Sequence, residues 1–114
     1  MQLSLEVEGA GSLAETTELR AWLHEARIRE VEKIAQQETP PKPGEQGPTL
    51  LAILTVVLGS KAIVALIQSI HKYIEARTPK TKIKIKIGKK AIEIDCTNPP
   101  PLQELVAQAK ALSD

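Results

Sequence analysis

Residues 49–70 read TLLAILTVVLGSKAIVALIQSI, and the way this stretch folds decides the architecture of the chain. Between Leu50 and Ile70 it holds twelve Leu, Ile or Val residues and one charge, Lys61. A segment this apolar must leave water, because burying each large aliphatic side chain stabilises by about 1.5–3 kcal/mol. It can enter the interior of its own domain, a bilayer or another subunit. As a membrane span it is long enough, since about 20 residues are needed. Lys61 at mid-helix costs about 2.5–3.5 kcal/mol and each Leu, Ile or Val returns about 0.3–0.6, so composition alone permits insertion. The flanks oppose it. Strand patterns lie on both sides, a span would put them on opposite sides of the bilayer, and neither pair is stable alone. Gly59-Ser60 divides the stretch, and a glycine inside a helix costs about 1 kcal/mol relative to alanine. The expectation is therefore a long aliphatic helix or a helical hairpin, with arms at residues 49–58 and 60–77, folded over a sheet. Ile63, Ile67, Ile70 and Ile74 form the buried stripe of the second arm, and Arg77-Thr78-Pro79 stops it.

The flanking strands are read from alternation. Leu3, Leu5 and Val7 point one way while Gln2, Ser4, Glu6 and Glu8 point the other, a half-buried strand ended by Gly9. Ser12-Leu13-Ala14-Glu15 fits a capping box for a helix with Leu19, Trp22, Leu23 and Ala26 on one stripe, ending near Ala26. Residues 27–36 fit either a continued helix or a strand over about 29–35. The strand is preferred because the first strand needs a partner. Residues 39–48, TPPKPGEQGP, hold four prolines and two glycines, so they exclude helix and central strand. Further on, Lys82, Lys84 and Lys86 alternate with Ile83, Ile85 and Ile87. Gly88-Lys89-Lys90 turns the chain, and Ile92 and Ile94 return on the core face of a hairpin. Glu93 and Asp95 face the lysines. Asn98 and Pro99–Pro101 open a last helix buried through Leu102, Leu105, Val106, Ala109 and Leu112. The expected class is α+β: about four strands in the order β-α-β-αα-β-β-α, with helices mainly on one face. Residues 1–114 read as one α+β domain containing a Pro/Gly-rich flexible loop at 37–48.

The chain has 114 residues, a single-domain length, with 42% hydrophobic and 25% charged residues. Trp22 and Tyr73 are its only aromatics, so the core must be aliphatic and base stacking on rings is disfavoured. The formal charge is +1 overall but unevenly spread. Residues 1–38 carry eight Glu against four Arg or Lys, and residues 39–114 carry eleven Lys or Arg against six acids. Such a chain can pair with its own copies or present a basic face to an acidic partner. The single cysteine, Cys96, allows no internal disulfide. MQLSLEVEGAG lacks the basic and apolar regions of a signal peptide. The expectation is a cytoplasmic protein, with membrane association on activation as the alternative.

Nothing in the sequence points to an enzyme. A catalytic thiol at Cys96 needs a base, and His24 and His71 stand in no family signature. Two histidines and one cysteine do not make a zinc set. Gly59-Ser60-Lys61 lacks the phosphate-loop pattern. No cofactor is expected. The basic face of Lys82, Lys84, Lys86, Lys89 and Lys90 could meet phosphates, but lysine on an exposed strand also blocks edge aggregation, so nucleic acid is the weaker reading.

An LSLEVEG strand, an acidic capped helix, a Pro/Gly-rich loop, an aliphatic stretch broken by Gly59-Ser60, and a strand pair with alternating Ile resemble the effector-associated constant component family of bacterial conflict systems. Leu3, Leu5, Val7 and Gly9, with Gly59-Ser60, carry the resemblance most specifically. It implies a small non-enzymatic adaptor of antiviral defence, encoded beside an effector such as a trypsin-like or caspase-like peptidase, and self-associating. On this reading Leu50, Leu54, Val57, Gly59, Ile63, Ile67, Ile70 and Ile74 form the hydrophobic assembly surface. Lys61 is a partner-facing charge, or a pore-facing one if residues 49–77 insert into a membrane after activation. Pro40, Lys42, Gly44 and Gly47 mark a cleavage loop.

Overall fold

The computed structural model describes residues 1–9, 12–39, 51–78 and 80–113. Five strands and three helices follow in order: β1 (Gln2–Glu8), α1 (Ser12–Ala26), β2 (Val31–Thr39), β3 (Leu51–Leu58), a 3-10 turn (Ser60–Ala62), α2 (Ile63–Arg77), β4 (Lys82–Ile87), β5 (Lys90–Asp95) and α3 (Leu102–Ser113). The strands form one sheet in the order β2-β3-β1-β4-β5, antiparallel at every junction. Strands β1 and β2 therefore run parallel, and so do β3 and β4. A parallel pair needs a long crossover, which α1 and α2 supply. The two β-α-β units interleave as a split βαβ, ferredoxin-like arrangement, with β5 and α3 appended.

The fold class is α+β as expected, but the sheet has five strands rather than four. The extra strand is β3, residues the sequence reading assigned to the first helical arm. A short, continuous apolar run fits a buried strand and a buried helix equally well by periodicity. What separates them is composition: Ile53, Thr55, Val56 and Val57 are β-branched and favour a pleated surface. Leu54, Val56 and Leu58 point into the core at 0–1% exposure, while Ile53, Thr55 and Val57 lie half-buried on the other face. The run is thus apolar on its open face as well as on its core face, and β3 lies between β2 and β1.

Among the described residues, no long apolar helix is found either. Helix α2 has 15 residues, about 22 Å at 1.5 Å per residue, against about 30 Å of bilayer hydrocarbon. Among the described residues, no helix is long and apolar enough to cross a membrane. Thr78 ends α2 in the left-handed region at φ 42, and its N–H donates to the Ile74 carbonyl at 2.9 Å.

The strand reading of residues 29–35 holds, although β2 starts at Val31 and continues to Thr39. Residues 37–39, assigned by sequence to the Pro/Gly-rich loop, thus belong to the strand. Residues 40–48 of that loop lie outside the described residues. The β4–β5 hairpin turns on two residues, Gly88 and Lys89, because Ile87 pairs with Lys90. Gly88 takes φ 60 at the first central position, as a type II′ turn requires.

All three helices cover the same face of the sheet. Helix α1 packs on β1, β2 and β3, α3 packs on β5, and α2 lies against both other helices. Leu3, Leu5, Val7, Ile83, Ile85, Ile92 and Ile94 meet Leu19 and Leu23 of α1, Leu66, Ile67, Ile70 and Ile74 of α2, and Leu105 and Ala109 of α3 in one hydrophobic cluster. Within the α1 stripe, Trp22 is half-buried and Ala26 is exposed.

Candidate interaction surfaces

The face of the sheet turned away from the helices carries the lysine ladder. Register places Lys84 between Glu6 of β1 and Glu93 of β5, and Lys82 between Glu8 and Asp95. Lys86 reaches diagonally to Glu6, with Nζ 3.0 Å from the carboxylate. Lys82 and Lys84 are thus flanked on both sides by carboxylates, and Lys86 by one, at positions where opposite charges stabilise by about 0.2–1 kcal/mol per pair. The sequence reading foresaw Glu93 and Asp95 opposite the lysines. It missed Glu6 and Glu8, because β1 lies far away in sequence and only the strand order brings it beside β4. A ladder interleaved in this way is a solvated ionic face rather than a uniformly basic one. The Asp95 carboxyl is held below its usual range first by the Thr97 hydroxyl at 2.7 Å, then by the Thr97 backbone N–H at 3.0 Å. Lys89 is exposed at the hairpin tip, and Lys90 donates to the Ala111 carbonyl at 3.4 Å near the end of α3.

The hydrophobic residues expected to mediate assembly are mostly interior. Leu54, Ile63, Ile67, Ile70 and Ile74 are at most 2% exposed in the core. Val57 is half-buried on the open sheet face. Gly59 joins β3 to the 3-10 turn; its N–H donates to the Glu30 carbonyl at 2.9 Å, and a side chain there would come within 3.4 Å of the Glu30 carboxylate. Lys61 is exposed on that turn. Leu50, Pro40, Lys42, Gly44 and Gly47 lie outside the described residues. Among the described residues, Met1 at 41% is the exposed large hydrophobic side chain. Among the described residues of this stretch, Leu54, Val56, Leu58, Ile63, Leu66, Ile67 and Ile70 lie in the core.

A polar network ties α1 to α2. Trp22 Nε1 donates to the Ser69 carbonyl at 3.1 Å and lies 3.2 Å from its hydroxyl. The Trp22 and Tyr73 rings meet edge to face, 5.7 Å apart at 69°. The Tyr73 hydroxyl, on a fully buried side chain, donates to the Glu15 carboxylate. Burial first, and then that bond and the Glu15 charge, push the Tyr73 phenol well above its usual range. Glu15 therefore serves the interhelical contact, whereas the sequence reading gave it a capping role. A groove of about 460 Å³ opens above the network, bordered by Trp22, Glu25, Gln68 and Lys72.

The groups with chemical potential are occupied structurally. His71 Nδ1 lies 2.7 Å from Glu75, one turn along α2. Cys96 is buried and its thiol is pushed up to about 11, chiefly by burial. The buried Thr81 hydroxyl makes no conventional hydrogen bond, and its weak approach to the thiol acts in the opposite direction. Among the described residues, no group of three or more His, Cys, Asp or Glu could hold a metal ion. A thiol with so raised a pKa is a poor nucleophile. Cys96 is therefore expected to react with a disulfide reagent at pH 8 only as fast as the protein unfolds, and to react at once in denaturant. The folded pKa lies above the unfolded value of about 8.5, so the thiol's contribution to stability is full below that pH. It is lost as the pH rises toward about 11. Denaturant midpoints across this range should fall for the wild type and fall less for Cys96→Ala.

The family model described as Effector Associated Constant Component 1 matches residues 8–113. No curated protein and no solved structure matches the chain. The matched range includes Gly9, which takes φ 131 against Thr81, and the Gly59-Ser60 junction; it begins after Leu3, Leu5 and Val7. From α1 to the last turn of α3, the described fold lies within that match, and the chain belongs to the Effector Associated Constant Component 1 family.

Proposed function

We propose that this protein is a non-enzymatic adaptor of a bacterial conflict system that binds a co-encoded effector of the peptidase type, trypsin-like or caspase-like. Family membership over residues 8–113 carries the reading, since the family is described as an effector-associated component. The placement of reactive groups supports a role without catalysis: the Cys96 thiol is buried, His71 is engaged by Glu75 and Tyr73 by Glu15. Part of the charge division is satisfied within the chain, where Glu6 and Glu8 stand beside Lys82, Lys84 and Lys86, and association between copies rests on the remaining glutamates of the first third and the remaining cations beyond it. In this role the chain supplies a rigid sheet and a helical layer as a docking platform, and the effector supplies the chemistry.

Co-expression with the peptidase encoded beside it, followed by affinity capture and light scattering, tests the reading. The expected result is a stable complex containing both chains. A chain that elutes alone as a monomer, with no neighbouring gene product retained, would contradict it.

A further inference from the structure

Edge strand β2 and helix α1 enclose a groove. One part, about 380 Å³, is bordered by His24 of α1, by Arg27 and Ile28 of the connection after it, and by Val31, Lys33 and Ile34 of β2. It continues for about 420 Å³ past Arg20 and Glu25, with His24 and Ile34 common to both parts. Ile28, Val31 and Ile34 are half-buried against the core and give the groove an apolar floor. Beside it runs the outer edge of β2, which no strand pairs among the described residues. An unpaired edge presents a row of backbone N–H and C=O groups ready to accept another strand. Proteins blunt such edges by making them short, charged, proline-containing or covered. Strand β2 is nine residues long and contains no proline, and its middle, Ile34-Ala35-Gln36-Gln37, is uncharged. The opposite edge, β5, has six residues, carries Lys90, Glu93 and Asp95, and lies beside α3.

The charges around the groove select among occupants. Residues 1–38 hold eight glutamates and four cations, Arg20, Arg27, Arg29 and Lys33. All four cations fall on the second half of α1, the connection after it and the start of β2. Arg20, Arg27 and Lys33 border the groove and pair with no carboxylate among the described residues. Glu25 and Glu32 are the acids beside them.

We propose that the outer edge of β2 takes an extended, acidic segment of a partner protein as a sixth strand. Backbone hydrogen bonds to β2 supply the pairing. Alternate apolar side chains of the segment enter the groove toward α1, its carboxylates on the opposite face lie beside Lys33, and Arg20 and Arg27 add positive charge at the rim of the groove. This is recognition by strand addition, in which main-chain bonds give affinity and side-chain pockets give specificity. The inference rests on the adaptor reading only in taking the effector as the source of the segment.

The test uses the full-length protein, isotope-labelled for amide NMR, and two eight-residue peptides, one alternating Val with Glu and the other Val with Lys. The Glu peptide is expected to shift amides of residues 31–37, to weaken with salt, and to bind at least about tenfold more tightly than the Lys peptide. The double variant Arg27→Glu/Lys33→Glu replaces exposed side chains, so it should keep the wild-type melting temperature and lose at least about tenfold in affinity. N-methylation of alternate residues along one edge of the Glu peptide should abolish binding, and along the other edge should leave it. The inference is overturned if the Lys peptide binds as well, if neither peptide binds, or if both N-methylated isomers bind. It is also overturned if the shifts map away from β2, or if β2 resonances move with protein concentration alone, which would mark a second copy on this edge. Retention of the co-encoded effector by the double variant would end the inference and leave the adaptor reading standing. Peptide binding by a wild-type chain that captures no effector would support the inference and end that reading.

Discussion

Val56→Asp is expected to unfold this protein, whereas Thr55→Asp, one residue away, should cost about 1 kcal/mol, the span of strand propensities. Val56 is fully buried and pairs with Leu3 on one side and Ile34 on the other, so an aspartate there has no charged partner and no water. An unpaired buried charge costs several kcal/mol, most of the 5–15 kcal/mol that holds a typical domain together. Thr55 points to the open face between Ser4 and Ala35, where a carboxylate can remain hydrated. The comparison also separates strand from helix. In a helix, Leu54, Val57 and Leu58 would share a face, and Val57→Asp would be among the worst substitutions. In the strand, Val57 lies with Thr55, half-buried beside Gln2 and Lys33. Urea midpoints for Val56→Asp, Thr55→Asp and Val57→Asp check this, with only the first expected to lose the cooperative transition.

The second large effect is expected at Ile70. This residue is fully buried in α2, in the cluster that joins the sheet to the helical layer. Ile70→Ala removes methyl and methylene contacts and leaves a cavity that close-packed neighbours fill only in part, a loss of about 2–5 kcal/mol. Lys72→Ala, on the same helix with an exposed side chain, should change stability by no more than about 0.5 kcal/mol. Equilibrium denaturation of the two variants measures the difference. If Ile70 instead formed an assembly surface on a stable monomer, its truncation would alter oligomeric state and leave the monomer's stability near wild type.

Much of this architecture is legible in the sequence where a single periodicity dominates. The alternation of Leu3, Leu5 and Val7, the Lys-Ile repeat of residues 82–87, and the return at Ile92 and Ile94 place β1, β4 and β5 on the correct faces. Leu19 and Leu23, and likewise Leu105 and Ala109, give the buried stripes of α1 and α3. The break at Gly59-Ser60 is also in the right place. What it separates was misread, because β3 carries Ile53 and Val57 on its open face as well as Leu54, Val56 and Leu58 on its core face, and so lacks the alternation that identifies strands. The run LAILTVVL looks the same whether it lies in a sheet or on a helix, and only its β-branched content leans toward the sheet. The ionic face was half legible for a related reason. Glu93 and Asp95 are joined to the lysines by a hairpin, whereas Glu6 and Glu8 reach them through a crossover that sequence spacing does not reveal. The β2 groove left no motif at all, since it depends on which strand ends at the edge of the sheet.

These differences bear on function. An aliphatic helical hairpin would have offered a surface for insertion or assembly; a central strand and a buried helix leave the outer surfaces for recognition. On the proposed adaptor reading, partner binding falls to the sheet edges, the ionic face and the outer side of the helices.

The most direct measurement of this account is a set of nuclear Overhauser contacts across residues 51–58 in the isolated protein. The account expects cross-strand contacts joining Leu54 to Leu5 and Gln36, and Val56 to Leu3 and Ile34. Contacts between residues three and four apart along 51–58, with no cross-strand partners, would show a helix and contradict it.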